Sequence, residues 1–167
     1  MNYPVFDLHC DTALSLLGKN YRSCGSLKQN EGHIDLIRAQ TLPGYAQCFA
    51  CFTTESIEDI PPVELFEREL ATIHREIERN EAVISQVYSG EEIEENFENG
   101  RMSAILTIEG PAGFGYDPEL LEDLYLVGFR MTTLGWNDKN PLTGSCWTGG
   151  GLTDQGRAYV REAQRLG

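Results

Sequence analysis

His9 and Asp11 stand two residues apart in the run Val5-Phe6-Asp7-Leu8-His9-Cys10-Asp11, and an imidazole and a carboxylate at that spacing can serve one metal ion. Side chains alternate along a strand, so positions 7, 9 and 11 share one face while Phe6, Leu8 and Cys10 share the other. Two donors leave a metal sphere incomplete, and the missing nitrogen or oxygen ligands must come from elsewhere in the chain. The uncharged run Met102-Ser103-Ala104-Ile105-Leu106-Thr107-Ile108 ends in Glu109, which has no local cationic partner. Burying such a carboxylate is expensive and coordination offsets the cost, which makes Glu109 the candidate third ligand.

Elements of an α/β fold are needed to position these groups. Tyr3 to His9, Tyr45 to Thr53, Met102 to Glu109 and Phe129 to Trp136 read as strands, largely apolar on both faces as parallel strands covered on both sides are. Val83 to Tyr88 reads as a short strand or an extended connector. Pro61-Pro62 opens a helix with Val63, Phe66, Leu70, Ile73 and Ile77 at three- and four-residue spacing. Glu91 to Phe97 gives a shorter helix stopped by Asn99-Gly100, Asp117-Pro118 starts one that runs to Gly128, and Thr153 caps a last one ending at Gly167. Strands alternating with helices predict a parallel sheet, and in such folds functional groups collect at the carboxyl ends of the strands. No repeat, low-complexity tract or linker divides the 167 residues, which read as a single domain.

The formal charge of −13 argues against nucleic acid or an anionic membrane as partner, since both require cationic surface. The first residues lack a basic stretch followed by an apolar run, and no apolar segment approaches the roughly 20 residues of a membrane span, so a cytoplasmic location is expected. Five cysteines (Cys10, Cys24, Cys48, Cys51, Cys146) in a chain read this way are expected to be reduced, with Cys48 and Cys51 packed in a core strand rather than binding metal. His33 and His74 read as solvated, the second from its place in an acidic amphipathic helix, and Glu91 to Glu98 reads as a solvated helix face. Gly110-Pro111-Ala112-Gly113-Phe114-Gly115 lacks the Gly-Lys-Ser/Thr of a phosphate loop, and Gly149-Gly150-Gly151 reads as a flexible turn.

Several motifs, in order along the whole chain, resemble the membrane (renal) dipeptidase family of the amidohydrolase superfamily. Asp7-Leu8-His9-Cys10-Asp11 is similar to its Asp-x-His-x-Asp signature, and Ile34-Asp35-Leu36 and Ala46-Gln47-Cys48-Phe49 to its Val-Asp-Leu-Pro and Ala-Gln-Phe segments. Ile108-Glu109-Gly110 resembles its Glu-Gly motif. Gly128 to Leu134, followed by Trp136, Asn137 and Asn140, resembles its Gly-x-Arg-x-x-x-Leu strand and asparagine-bearing loop, and Gly151-Leu152-Thr153-Asp154-Gln155-Gly156 its Gly-Leu-Thr-x-x-Gly. Each motif is weak alone, and their order and spacing give the resemblance its strength.

The resemblance implies the N-terminal half, about four βα units, of a TIM-type (β/α)8 barrel, which when complete needs about 250 residues. It implies that His9 and Asp11 bind one zinc and that Glu109, the catalytic residue, bridges it to a second, two ions per complete site. A hydroxide held between the metals would attack the peptide carbonyl of a small dipeptide, plausibly with a C-terminal D-residue. Trp136 and Asn137 would bind substrate; Trp136 stands where mammalian members carry a histidine, and an indole donates one hydrogen bond without titrating. Two further metal-binding histidines, a substrate-gripping arginine and a proton-shuttling aspartate of the family have no counterpart here, so the 167 residues alone are expected to be inactive. Two alternatives stand beside this reading: a binuclear amidohydrolase acting on a lactone or cyclic amide, and a non-catalytic half-barrel acting by association through its open edge. The partners expected are the dipeptide and, in a homo-oligomer, further copies of the chain.

Overall fold

The computed structural model of the chain describes residues 3–18, 25–57 and 59–167; Cys24 lies outside them. In chain order the elements are β1 (Val5–Cys10), α1 (Thr12–Ser15), α2 (Leu36–Ala39), β2 (Tyr45–Phe52), α3 (Pro62–Arg79), β3 (Ile84–Gln86) and α4 (Gly90–Glu98). They continue with β4 (Met102–Glu109), α5 (Leu121–Val127), β5 (Phe129–Thr132), β6 (Thr143–Ser145), β7 (Gly149–Leu152) and α6 (Asp154–Leu166). The chain forms two compact units, Met1–Cys51 with Arg68–Thr107, and Phe52–Glu67 with Ile108–Gly167, so that β2, α3 and β4 each run from one into the other. Among the described residues no helix is long and apolar enough to cross a membrane.

The first unit carries a parallel sheet in the order β1-β2-β4-β3. Val5, Phe6 and Asp7 pair with Tyr45, Ala46 and Gln47, and Ile84, Ser85 and Gln86 with Met102, Ser103 and Ala104. Every residue of β2 is buried, as are Met102 to Ile108, which matches the two-sided apolar character of these runs. β1 differs. Among the described residues it pairs only with β2, and its Phe6 and Leu8 are 48% and 64% exposed. Ala46, Cys48, Val87 and Ile105 form a core cluster against which Ile93 and Phe97 of α4 pack. The segment left open between strand and connector is the short strand β3.

Cys10, Cys48, Cys51 and Cys146 are free thiols, the first three buried. Burial pushes Cys10 and Cys48 up to about 11, and raises Cys51 well above the ordinary range, which keeps them protonated and unreactive. Along α3 the buried face is Leu65, Phe66, Glu69, Thr72, Ile73, Glu76 and Ile77, while Val63 is exposed, so the stripe is rotated from the one the apolar spacing predicts. Glu76 is buried because its carboxylate accepts the Leu27 backbone N–H at 2.8 Å and pairs with Arg79 at 3.1 Å. His74 is likewise not solvated as expected: it is half-buried, its Nε2 is fully enclosed, and burial lowers its pKa against an opposing hydrogen bond with Gln86.

Asp35, 3% exposed, caps α2 by accepting from Arg38 N at 2.9 Å, and it also accepts from Arg38 Nε at 2.8 Å. Burial raises the carboxyl, but hydrogen bonds from the Arg38 side chain and backbone and from Asn30 outweigh it and hold Asp35 below the usual range. Its contribution is therefore complete above about pH 4 and is lost as pH falls through the lower folded-state value. Asp35→Ala should lower stability by about 2 kcal/mol at pH 7 in urea unfolding, with a gap from the parent that narrows below about pH 4. A gap independent of pH would mean that the carboxylate's charge contributes nothing.

In the second unit β5 pairs with the end of β4, where Thr133 N donates to Ile108 O at 2.9 Å. Phe66 stacks on Phe129 at 5.5 Å and meets Phe114 edge-on at 6.0 Å, while Phe114 stacks on Tyr159 at 6.3 Å. Three expectations change here. The helix expected from Asp117 to Gly128 is a 3-10 turn, Pro118–Leu120, followed by α5, with Asp117 capping the turn. The strand expected to reach Trp136 stops at Thr132, and the chain bends where Asn140 Nδ2 donates to Leu134 O at 2.9 Å. Gly149 to Gly151 is not a flexible turn but part of the antiparallel strand β7, paired with β6. Glycine permits that approach, since a Cβ on Gly144 would lie 1.9 Å from Gly149 O.

Candidate metal centre and substrate wall

His9 and Asp11 sit at the carboxyl end of β1, the end where parallel α/β sheets place their chemistry. Their side chains converge: His9 Nε2 lies 3.3 Å from Asp11 Oδ1, with the side chains 49% and 53% exposed. Asp11 is not in the strand. It precedes the short helix α1, and the β1–β2 register shifts between Asp7 and Cys10, so the irregularity rather than ideal alternation delivers the carboxylate to the imidazole.

Asp7 supports this strand end from beneath. Its Oδ1 accepts the His9 backbone N–H at 3.1 Å, and the Tyr45 hydroxyl, which hydrogen-bonds Gln47 Oε1, lies 3.4 Å from Asp7 Oδ2. Gln47 Nε2 donates to Cys48 O at 3.0 Å and reaches Asp7 O at 3.4 Å. Burial first, and then the Asp7 charge, push the Tyr45 hydroxyl above its ordinary value, so it stays a neutral donor. Tyr45 and Gln47 were absent from the sequence-derived site. The available signal is their i, i+2 spacing in β2, which places both on the face that meets Asp7 once the strands pair in register.

In the second unit Glu109 is the last residue of β4 and is half-buried. Its backbone is held tightly: Glu109 O accepts from Thr53 N at 2.9 Å, Gly110 N donates to Thr133 Oγ1 at 3.1 Å, and Thr53 Oγ1 donates to Gly110 O while accepting from Gly113 N at 3.0 Å. The same strand ends border a small cavity of about 60 Å³ lined by Thr54, Glu55, Ser56, Tyr116, Trp136 and Lys139 among others. Trp136, 52% exposed, packs edge-on against Phe52 with ring centroids 5.1 Å apart. Asn137 is half-buried on the bend that follows. Asn140 shapes that bend, its Oδ1 accepting from Leu142 N at 2.8 Å and Thr143 N at 3.1 Å. Burial and the nearby Glu55 carboxylate, its hydrogen-bond partner, push the Tyr116 phenol up to about 12, and Tyr116 holds a left-handed φ of 61°.

The description of the membrane dipeptidase family, peptidase family M19, matches residues 1–167. The chain belongs to the membrane dipeptidase family. Dipeptidase verJ of Clonostachys rogersoniana is 28% identical over 104 residues, which are 60% of this chain and 27% of that one. Among solved structures, the metallopeptidase dipeptidase AC is similar at 22% identity and a TM-score of 0.77, over 99% of this chain and 56% of its own. A metallopeptidase from Rhodobacter sphaeroides, liganded with a phosphinate mimic of the dipeptide L-Ala-D-Ala, has the same identity and TM-score over 99% of this chain and 57% of its own. The fold is thus that of the M19 dipeptidase barrels, and the chain spans little more than half the length of those structures.

Proposed function

We propose that this chain carries one part of the catalytic centre of a zinc-dependent dipeptidase, within the N-terminal half of one barrel domain. The observation that carries the reading is the imidazole–carboxylate pair of His9 and Asp11, 3.3 Å apart at a strand's carboxyl end, in a member of a dipeptidase family. The donor chemistry fits: zinc accepts imidazole nitrogen and carboxylate oxygen, the donors that His9, Asp11 and Glu109 offer. In this proposal His9 and Asp11 would hold one ion, and Glu109 would serve as the ligand shared with a second. When bound, the metal supplies Lewis acidity toward the scissile carbonyl and toward water.

The chain's own residues then do the positioning. Asp7 fixes the His9 backbone, and Tyr45 and Gln47 hold Asp7. Trp136, with Phe52 behind it, walls the substrate and can offer its indole N–H, and Asn137 offers an amide from the neighbouring bend. The L-Ala-D-Ala mimic bound by the Rhodobacter sphaeroides relative supports short dipeptides as substrates. This chain covers 57% of that relative, which supports the further proposal that these 167 residues alone hydrolyse no peptide.

Cobalt(II) titration of the chain, followed in the visible spectrum, tests the ligand set. Binding should be measurable, and His9→Ala, Asp11→Ala and Glu109→Ala should each weaken it at least tenfold. If all three variants bind as the parent does, the assignment is wrong.

A further inference from the structure

The small cavity beside Trp136 carries charged groups that the proposed mechanism does not use. Within the second unit it is lined by Glu55 and Ser56 of the segment after β2 and by Asp138 and Lys139 of the bend after β5, with Tyr116 and Trp136 between them in the sequence. The two segments are clasped together, Ser56 Oγ donating to Asp138 Oδ2 at 2.5 Å. Tyr116 is 8% exposed and is the one non-glycine residue with positive φ among those described, a strained backbone that persists only where its surroundings hold it. Here they do: Tyr116 N donates to Pro111 O at 3.0 Å, and Tyr116 O accepts from Gln155 Nε2 at 3.1 Å. The phenol hydrogen-bonds the Glu55 carboxylate, so a buried donor on a fixed backbone orients an otherwise exposed acidic side chain on the cavity lining.

We infer that Glu55, positioned by Tyr116, is a specificity-determining residue that selects dipeptides bearing a cationic side chain. The lining sets the sign, because two carboxylates, Glu55 and Asp138, stand against one ammonium, Lys139. The Trp136 indole, 52% exposed, adds a π-face that attracts an ammonium or guanidinium group. The charge of −13 on the whole chain steers cations toward the protein. A cavity of about 60 Å³ is far smaller than the roughly 300 Å³ or more that holds a whole ligand, so it takes the tip of one side chain. Glu55 keeps the capacity to do so: an ionised carboxylate offers about four lone-pair sites, and the Tyr116 hydroxyl uses one. The inference rests on the dipeptidase reading, since it takes Trp136 to face substrate, and it names the side chain that the site prefers.

The test is to titrate the chain, in metal-free buffer, with L-Lys-D-Ala and with L-Ala-D-Lys, each against the counterpart carrying norleucine in place of lysine. Norleucine keeps the aliphatic stem and lacks only the ammonium, and the two placements show which residue of the dipeptide supplies the cation. Binding is read by NMR from the indole N–H groups of the two tryptophans, with Trp147, 79% exposed on the turn between β6 and β7, as internal control. The Trp136 signal should move, and at least one lysyl peptide should bind about fivefold tighter than its norleucyl counterpart. Glu55→Gln should remove that preference and Lys139→Gln should enlarge it. Tyr116→Phe, which keeps the ring and removes the donor, should reduce the preference while the norleucyl affinities stay at the parent's value, a split that a general loosening of the fold does not produce. An unmoved Trp136 signal, equal affinities in both placements, or a preference that survives Glu55→Gln overturns the inference. So does tighter binding of L-Glu-D-Ala than of either lysyl peptide, since Lys139 then sets the sign. The titration needs neither metal nor turnover, so its failure counts against the subsite alone, whereas a cation preference in a protein without zinc-dependent hydrolysis counts against the dipeptidase reading alone.

Discussion

Zinc-dependent hydrolysis of L-Ala-D-Ala should fall by at least about a thousandfold when Glu109 is replaced by alanine in a chimaera that joins this sequence to the remainder of the Rhodobacter sphaeroides metallopeptidase. On the proposed assignment Glu109 would serve two ions, so removing it would disturb both at once and the loss should exceed that from a substrate contact. His9→Ala and Asp11→Ala should be nearly as severe, because neither an imidazole nor a lone carboxylate holds the first ion well by itself. Trp136→Phe, which keeps the aromatic packing against Phe52 and removes only the indole N–H, should cost about tenfold. The order of these effects separates a metal centre from a generic polar cleft. Comparable small losses in all four variants would leave the dipeptidase assignment without its chemistry.

Gly110→Ala should destabilise the protein by more than about 3 kcal/mol. Gly110 has φ of +82°, and a Cβ there would lie 2.2 Å from Thr53 O, a backbone atom already committed beside the hydrogen bonds that lace the ends of β2 and β4. Neither atom can move without pulling Glu109 or Thr53 from its place. Gly100→Ala provides the comparison: its φ is +67° but a Cβ there meets nothing within 4 Å, so only the backbone strain of about 1 kcal/mol applies. Urea unfolding of both variants decides between the two causes. Equal losses would show that left-handed conformation, not close approach, is why glycine follows Glu109.

Much of this was legible along the chain because the responsible interactions are local or periodic. The runs that became β2 and β4 are apolar on both faces, and the structure buries both strands almost completely. Thr153, read as a cap, caps α6 through a side-chain oxygen that accepts from Gly156 N, an interaction spanning three residues. His74 and the glycines of β7 were misread for a shared reason. Residue type and spacing describe what a segment can do alone, while the burial of His74 comes from what α3 packs against, and β7 exists because Gly144 and Gly149 let two backbones approach.

The sequence by itself determined the residue types that can ligate a metal, their position at strand ends, and the alternation that makes a parallel sheet, because strand periodicity and donor chemistry are properties of neighbouring residues. Tertiary structure alone decided that a register shift rather than simple alternation brings Asp11 to His9, and that Tyr45 and Gln47 brace Asp7. Those outcomes depend on which strand lies beside which and in what register. That choice is made by packing and hydrogen bonding between segments some forty residues apart, and no local pattern encodes it.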